Sequence, residues 1–161
     1  MAHTLVLLPL LTLAFFTVAF AEDPYLYFTW NVTYGTLSPF VIPQLVILIN
    51  GQFPGPNINS TTNNNIVLNL FNYLDEPFLL SWNGIQQRKN SWMDGVPGTN
   101  CPILPGANFT YHFQVKDQIG SFFYYPSLGM HKAAGGFAVS VSTPAFLSPS
   151  LSIPRLMITL S

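Results

Sequence analysis

Regular alternation of apolar and polar residues predicts short β-strands along this chain. In NIVLNLFN, residues 65–72, Ile66, Leu68 and Leu70 alternate with residues of a second face. The segment FTYHFQV, residues 109–115, alternates as regularly. Since successive side chains of a strand point to opposite faces, both patterns predict half-buried strands. The residues predicted to face inward in the second segment are Phe109, Tyr111, Phe113 and Val115.

Other segments extend the strand prediction to most of the chain. QLVILIN, residues 44–50, is a continuous apolar run that predicts a strand buried on both faces. Aromatic and β-branched residues dominate YLYFTWNVTYGT, FLLSWNGI, GSFFYYPSLG and GGFAVSVS, and AVSVS is suited to a closing strand. No segment after residue 21 keeps a 3.6-residue period over ten residues. About seven short strands separated by Pro and Gly predict an all-β fold, a Greek-key β-sandwich.

The first 21 residues have the pattern of a secretory signal peptide. Residues 5–20 are an apolar run, and the small-x-small triplet at 19–21 predicts cleavage after Ala21. The alternative is a membrane anchor. The run is short for a span of about 20 residues, and no basic stop-transfer segment follows it. We therefore expect a secreted, extracellular product whose mature chain has no membrane span.

Composition supports one domain with a large core. Charged residues make up 7% of the 161-residue chain, hydrophobic residues 49% and aromatic residues 15%. A net charge of −1 gives no reason to expect nucleic-acid binding. We predict one domain at residues 22–142 and an atypical tail at 143–161, rich in Ser and Pro and without Asp or Glu.

Three Asn-x-Ser/Thr triplets predict N-glycosylation. The acceptors are Asn31, Asn59 and Asn108. The alternative for each is an unmodified surface Asn.

Cys101 is the chain's one cysteine and lies in the Pro-rich loop NCPILPG. An odd cysteine in an oxidising compartment favours a partner thiol in another domain or chain over a buried free thiol. The loop between Trp92 and Asn108 is long for a compact domain, and loops of that length are functional or packed.

Candidate chemistry is sparse. Cys101, His112, Met130 and His131 are the residue types of a blue-copper site. Their order along the chain is wrong, because Cys101 precedes the strand that carries His112. We expect His112 to face solvent and His131 to lie in a loop.

Acidic and aromatic pairs offer two further candidates. Asp75 and Glu76 precede Pro77, and this pattern predicts a solvated turn. Trp82 and Trp92 could form a platform for stacking on sugars, although aromatic residues of a sandwich more often belong to the core.

Three long motifs resemble the first domain of plant multicopper oxidases of the ascorbate-oxidase type. They are VILINGQFPGPNIN, SWNGIQQRKNSWMDGVPGTNCPILPGANFTYHFQV and GSFFYYPSLGMHKAAGG. The resemblance covers residues 23–138 and is closest to the monocopper-oxidase-like branch, which includes skewed-growth proteins and pollen homologues of ascorbate oxidase. It implies a cupredoxin-like (plastocyanin-like) domain and a link to cell-wall expansion or tip growth.

The resemblance also identifies copper-ligand positions that this chain has lost. Copper-competent relatives read His-Trp-His-Gly and, later, His-x-His. The matching residues here are Ser81, Asn83, Tyr125 and Ser127, which we call the polar quartet. Since copper prefers imidazole and thiolate, we expect no copper cofactor and no catalysis, and hydrogen bonds within the quartet instead.

Two further positions carry roles implied by the resemblance. Asp94 matches an acidic residue near the copper cluster of active relatives, and without a cluster we expect it to be structural. Cys101 matches a cysteine that bridges to a third domain, so self-association through Cys101 or an exposed interdomain surface is expected. The tail suggests a frameshift, a splice variant or a truncated gene model.

Three rival hypotheses remain at this point. The protein is an active copper oxidase or copper binder, a non-functional truncated product, or a module that binds cell-wall polysaccharide through exposed Trp or Tyr side chains.

Overall fold

The computed structural model describes residues 23–143, which form two packed β-sheets. The predicted signal peptide and the tail from residue 144 onward lie outside the described residues. The strands are β1 (Tyr25–Leu37), β2 (Gln44–Ile49), β3 (Ile58–Thr61), β4 (Asn65–Asn72), β5 (Leu80–Asn83), β6 (Gln87–Arg88), β7 (Asn108–Val115), β8 (Gly120–Pro126) and β9 (Ala138–Thr143). One helical turn, α1 (His131–Ala134), and two 3₁₀ turns at Pro39–Val41 and Ser91–Met93 complete the described elements.

The two sheets have five and four strands. Their orders are β2-β1-β4-β7-β6 and β3-β9-β8-β5. The β1–β4 and β3–β9 pairs are parallel and join strands that are distant in sequence. The predicted all-β Greek-key sandwich is thus confirmed, and AVSVS forms most of the closing strand β9.

Aromatic rings fill the space between the sheets. The Trp30 ring centroid lies 4.7 Å from that of Tyr124 and 6.1 Å from that of Trp82. The Trp82 ring also lies 4.8 Å from Phe113 of the facing sheet. The alternation predicted for β4 and β7 is confirmed, since their inward residues are buried or pack against this core.

The prediction that residues 44–50 form a strand buried on both faces holds only from Val46 onward, where Val46 is 9% exposed on one face and Ile47 and Ile49 are buried on the other. Strand β2 is at the edge of its sheet, and Leu45 is 66% exposed. Ile47 and Ile49 face the core, whereas the side chain of Leu48 covers Gly35 of β1. The apolar run therefore marks an edge strand whose first two residues are exposed and whose two faces are both largely buried from Val46 onward.

The sequence did not predict the short elements. His131 begins α1 and is buried, so its expected place in a loop is wrong. Four residues are too few to display a helical period.

The long loop before Asn108 is packed, because Met93 and Ile103 reach the core. No helix in residues 23–143 is long and apolar enough to cross a membrane.

Candidate functional site

Strands β5 and β8 position the polar quartet on one outer face. Ser81 lies opposite Tyr125 in the antiparallel register, and Trp82 lies opposite Tyr124. Because the two sides of a strand alternate, Trp82 and Tyr124 point into the core while Ser81, Asn83 and Tyr125 point away from it. Ser127 follows β8, and its backbone N–H donates to the Leu79 carbonyl at 2.9 Å.

A loop segment covers part of the quartet, where Ser81 is only 9% exposed, and leaves Asn83 exposed. Gly95 lies directly against the backbone of Leu80, where a Cβ would overlap the carbonyl oxygen of Leu80. Its φ of +75° also favours glycine. The Trp82 backbone N–H is 3.4 Å from the Asp94 carbonyl oxygen, so this segment lies along the edge of β5.

The expected hydrogen bonds within the quartet form only in part. Asn83 Nδ2 donates to the Tyr125 hydroxyl at 3.5 Å, the outer limit for such a bond. The Ser127 hydroxyl instead donates to the Gly95 carbonyl at 2.5 Å. The hydrogen bond between β8 and the covering loop is therefore shorter than the one between side chains of the quartet.

A positive charge lies beside the quartet. Lys132 Nζ lies 3.9 Å from the centroid of the Tyr125 ring, a cation–π contact. The carboxylate of Asp94 accepts from the Val96 N–H at 3.1 Å and the Thr99 hydroxyl at 3.3 Å. In this geometry Asp94 stabilises the covering loop.

A second polar cluster lies at the start of α1, and sequence reasoning missed it. The Tyr34 hydroxyl donates to Glu76 Oε1 at 2.5 Å, and His131 Nε2 lies 3.1 Å from the same oxygen. The hydrogen bond to Glu76, followed by burial and the nearby carboxylate of Asp75, raises the pKa of Tyr34. The same hydrogen bond lowers the pKa of Glu76 despite partial desolvation, and His131 lowers it further.

This cluster lines a cleft of about 350 Å³, which we call the acidic cleft. Its residues come from β1, the turn before β5, and α1, and no local motif links them. The expectation of a solvated turn at Asp75 and Glu76 holds for their exposure, but it missed the contacts that Glu76 makes.

Comparison with known proteins identifies the fold of this site. The sequence model of the family described as multicopper oxidase matches residues 31–144. This chain belongs to the multicopper oxidase family.

Two similar relatives within this family are plant proteins of greater length. An L-ascorbate oxidase homolog of Brassica napus is 73% identical over 120 residues, which are 74% of this chain and 22% of that protein. The monocopper oxidase-like protein SKU5 of Arabidopsis thaliana is 58% identical over 146 residues, covering 89% of this chain and 25% of that protein. The chain spans between a fifth and a quarter of the length of these relatives.

A solved multicopper oxidase has the same architecture. The laccase from Botrytis aclada superposes with a TM-score of 0.71 at 30% identity, over 76% of this chain and 23% of the laccase chain. The described residues are thus a cupredoxin-like domain of the multicopper oxidase family.

Copper is the metal that this family implies, and the polar quartet does not fit it. Its four side chains offer two aliphatic hydroxyls, one amide and one phenol, whereas copper sites use imidazole and thiolate. The Ser127 hydroxyl and the Asn83 amide already have protein partners. Within residues 23–143, no three His, Cys, Asp or Glu side chains are grouped to hold a metal ion.

The residue types of a blue-copper site are also far apart in this family member. Cys101 is a free, exposed thiol in a cleft with Trp92, so the alternative of a buried thiol is wrong. His112 is exposed, as predicted, beside Lys89, and Met130 and His131 line the acidic cleft. The structure brings together only the last two.

Two other predicted features have a clear place in the domain. Trp82 is 4% exposed and Trp92 is 57% exposed, so they form no common platform. The predicted glycan acceptors Asn31, Asn59 and Asn108 have exposed side chains. The amide of Asn108 donates to Asn69 Oδ1 at 3.0 Å.

Proposed function

We propose that this protein is a secreted, non-catalytic cupredoxin-like domain of the plant cell wall. The polar quartet is the observation that carries the proposal, because hydroxyl, phenol and amide groups replace imidazole at the positions matched to copper ligands. The Lys132 ammonium beside Tyr125 adds a positive charge that opposes the approach of a metal cation. A role in wall expansion or tip growth rests on the resemblance to skewed-growth proteins.

Copper analysis of the secreted protein tests the absence of a cofactor. The mature protein is dialysed against Cu²⁺ and then against buffer, and its metal content and absorption spectrum are measured. We expect far less than one copper per chain and no oxidase activity. One tightly held copper per chain with a blue or charge-transfer absorption band would instead support the rival hypothesis of an active copper oxidase.

Secretion is part of the same proposal. We expect removal of residues 1–21 and a glycan on at least one of Asn31, Asn59 and Asn108, since all three side chains are exposed. N-terminal sequencing and mass spectrometry before and after deglycosylation test this. A product that begins at Met1 and has no glycan mass would contradict it.

Self-association is expected through Cys101 or exposed apolar surface. Cys101 is exposed, and an exposed thiol in an oxidising compartment forms disulfides. Val41, Ile42, Leu45 and Met130 are also exposed. Non-reducing gels and light scattering of the wild type and Cys101→Ser separate the covalent from the apolar route. A soluble monomer with a free, unreactive thiol would contradict both.

Binding of wall polysaccharide is a second candidate function. Tyr25 and Tyr27 are exposed and stacked, with ring centroids 6.3 Å apart, and flat aromatic pairs of this kind suit sugar rings. Pull-down on insoluble wall polysaccharides by the wild type, Tyr27→Ala and the control Phe123→Ala, which removes another exposed aromatic ring, tests it. Retention that Tyr27→Ala does not reduce would reject this surface.

A non-functional truncated product is the remaining alternative. Sequencing the transcript across codons 135–161, together with detection of the protein in plant tissue, distinguishes it from a stable wall protein. A frameshifted transcript without accumulated protein would support the truncated product and reject the proposed function.

A further inference from the structure

The acidic cleft has the shape and lining of a small-ligand site. It lies beside the edge strand β2 and has a volume of about 350 Å³. Leu45, Leu128 and Met130 form apolar walls, and Met130 is 80% exposed. A cleft of this size with apolar walls and a few converging polar groups is the usual form of a binding site.

The polar groups of this cleft offer more hydrogen-bond acceptors than donors. Glu76 Oε1 receives the Tyr34 hydroxyl and faces His131 Nε2, which places the proton of a neutral imidazole on that nitrogen. Nδ1 of His131 is then an acceptor, and it is buried without a partner among the described residues. His131 as a whole is only 8% exposed.

No fixed cation balances these acceptors. Among residues 23–143, Glu76 forms no salt bridge with Lys or Arg, and its contact with a titratable cationic group is the one to His131. An ammonium group has three donors and no acceptor, and a guanidinium group has five donors and no acceptor. Either group matches the acceptor excess, whereas an anion or a neutral acceptor would be repelled.

We propose that the acidic cleft binds an organic cation, a primary ammonium or guanidinium group on an aliphatic stem. The charged group meets the carboxylate of Glu76, and the stem packs on Leu45, Leu128 and Met130. The cation is either a free aliphatic amine or the side chain of a Lys or Arg in another polypeptide. This proposal does not depend on the state of the polar quartet.

An NMR titration of the isotope-labelled full chain tests the chemistry on the wild type. n-Hexylammonium is the probe, and hexan-1-ol and hexanoate are matched controls of the same stem length. We expect saturable shifts at the Met130 and Leu45 methyl groups with the ammonium probe. Hexan-1-ol should bind at least about tenfold more weakly, as loss of a charge-assisted hydrogen bond implies, and hexanoate should not bind. Equal binding of the alcohol and the ammonium would overturn the proposal.

Variants and a second probe locate the charge and its source. Glu76→Gln should weaken hexylammonium binding about tenfold or more, whereas the exposed carboxylate change Asp117→Asn should leave it unchanged. Unaltered binding by Glu76→Gln would overturn the proposal. A lysine capped at both its amino and carboxyl groups serves as the second probe. Binding of this probe supports a side chain as the source, and binding of hexylammonium alone supports a free amine.

Discussion

The two faces of the β5–β8 pair differ in the contacts that stabilise them. On the inner face, Trp82 packs against Tyr124, Phe113 and Trp30 in the core. On the outer face, the polar quartet makes few hydrogen bonds. It contacts the covering loop and the Lys132 ammonium. The inner face is fixed by dense packing, and the outer face by a small number of polar contacts.

This difference is consistent with the proposed loss of a metal site without loss of the fold. Packing of the inner face defines the position of β5 and β8 whatever the outer side chains are. Under the proposed function, Ser, Asn and Tyr in place of outer imidazoles leave the sandwich intact but lack the chemistry that copper needs. Fold and function therefore belong to opposite faces of the same strands.

Trp82→Ala should produce the largest effect. Removal of a fully packed indole leaves a cavity, and we expect a loss of about 3–5 kcal/mol in the free energy of unfolding. Urea unfolding followed by circular dichroism measures it. The matched control is Trp92→Ala on the exposed loop, for which we expect a change within about 0.5 kcal/mol. Equal losses for the two variants would remove the contrast between the faces.

Gly95→Ala tests how closely the loop covers the outer face. The alanine would have a positive φ and would also overlap the Leu80 carbonyl, so we expect a loss of more than about 1–3 kcal/mol. Gly98 has a φ of +98° but open space around it. Gly98→Ala therefore shares the backbone strain without the overlap. If both variants lose the same stability, the close contact between Gly95 and β5 is not significant.

Ser127→Ala should have the smallest effect of the three. It removes the hydrogen bond to Gly95 and should lower the free energy of unfolding by about 0.5–1.5 kcal/mol. Ser121→Ala, at an exposed position of β8, is the control and should be neutral. A loss as large as that of Trp82→Ala would mean that the quartet itself is a centre of stability.

The sequence predicts the parts of the fold that have long, regular patterns. In the eight-residue strands β4 and β7 the apolar side chains alternate along the sequence, because one face of each strand contacts the core. The run 44–50 misleads, since its composition cannot distinguish a central strand from an edge strand with an apolar outer face. Strand β6 has two residues, and α1 has four, so neither can display a period.

The residues of the candidate sites likewise divide into those that the sequence predicts and those that it does not. The polar quartet can be found from sequence, since Ser81 and Asn83 share a short motif and alignment with family motifs places the other two. The acidic cleft cannot, because Tyr34, Glu76 and His131 are far apart in the chain and meet only after the sheets form. The partner of Ser127 was also beyond prediction, since it depends on how the covering loop packs.

Copper affinity of the wild type beside a variant with four histidines tests the central claim most directly. The variant carries Ser81→His, Asn83→His, Tyr125→His and Ser127→His, and both proteins are titrated with Cu²⁺ against a competing chelator. We predict tight binding by the folded variant and none by the wild type, because the scaffold is retained and only the ligand side chains differ. Equally tight binding by both would contradict the account, since copper would then be held without the imidazoles.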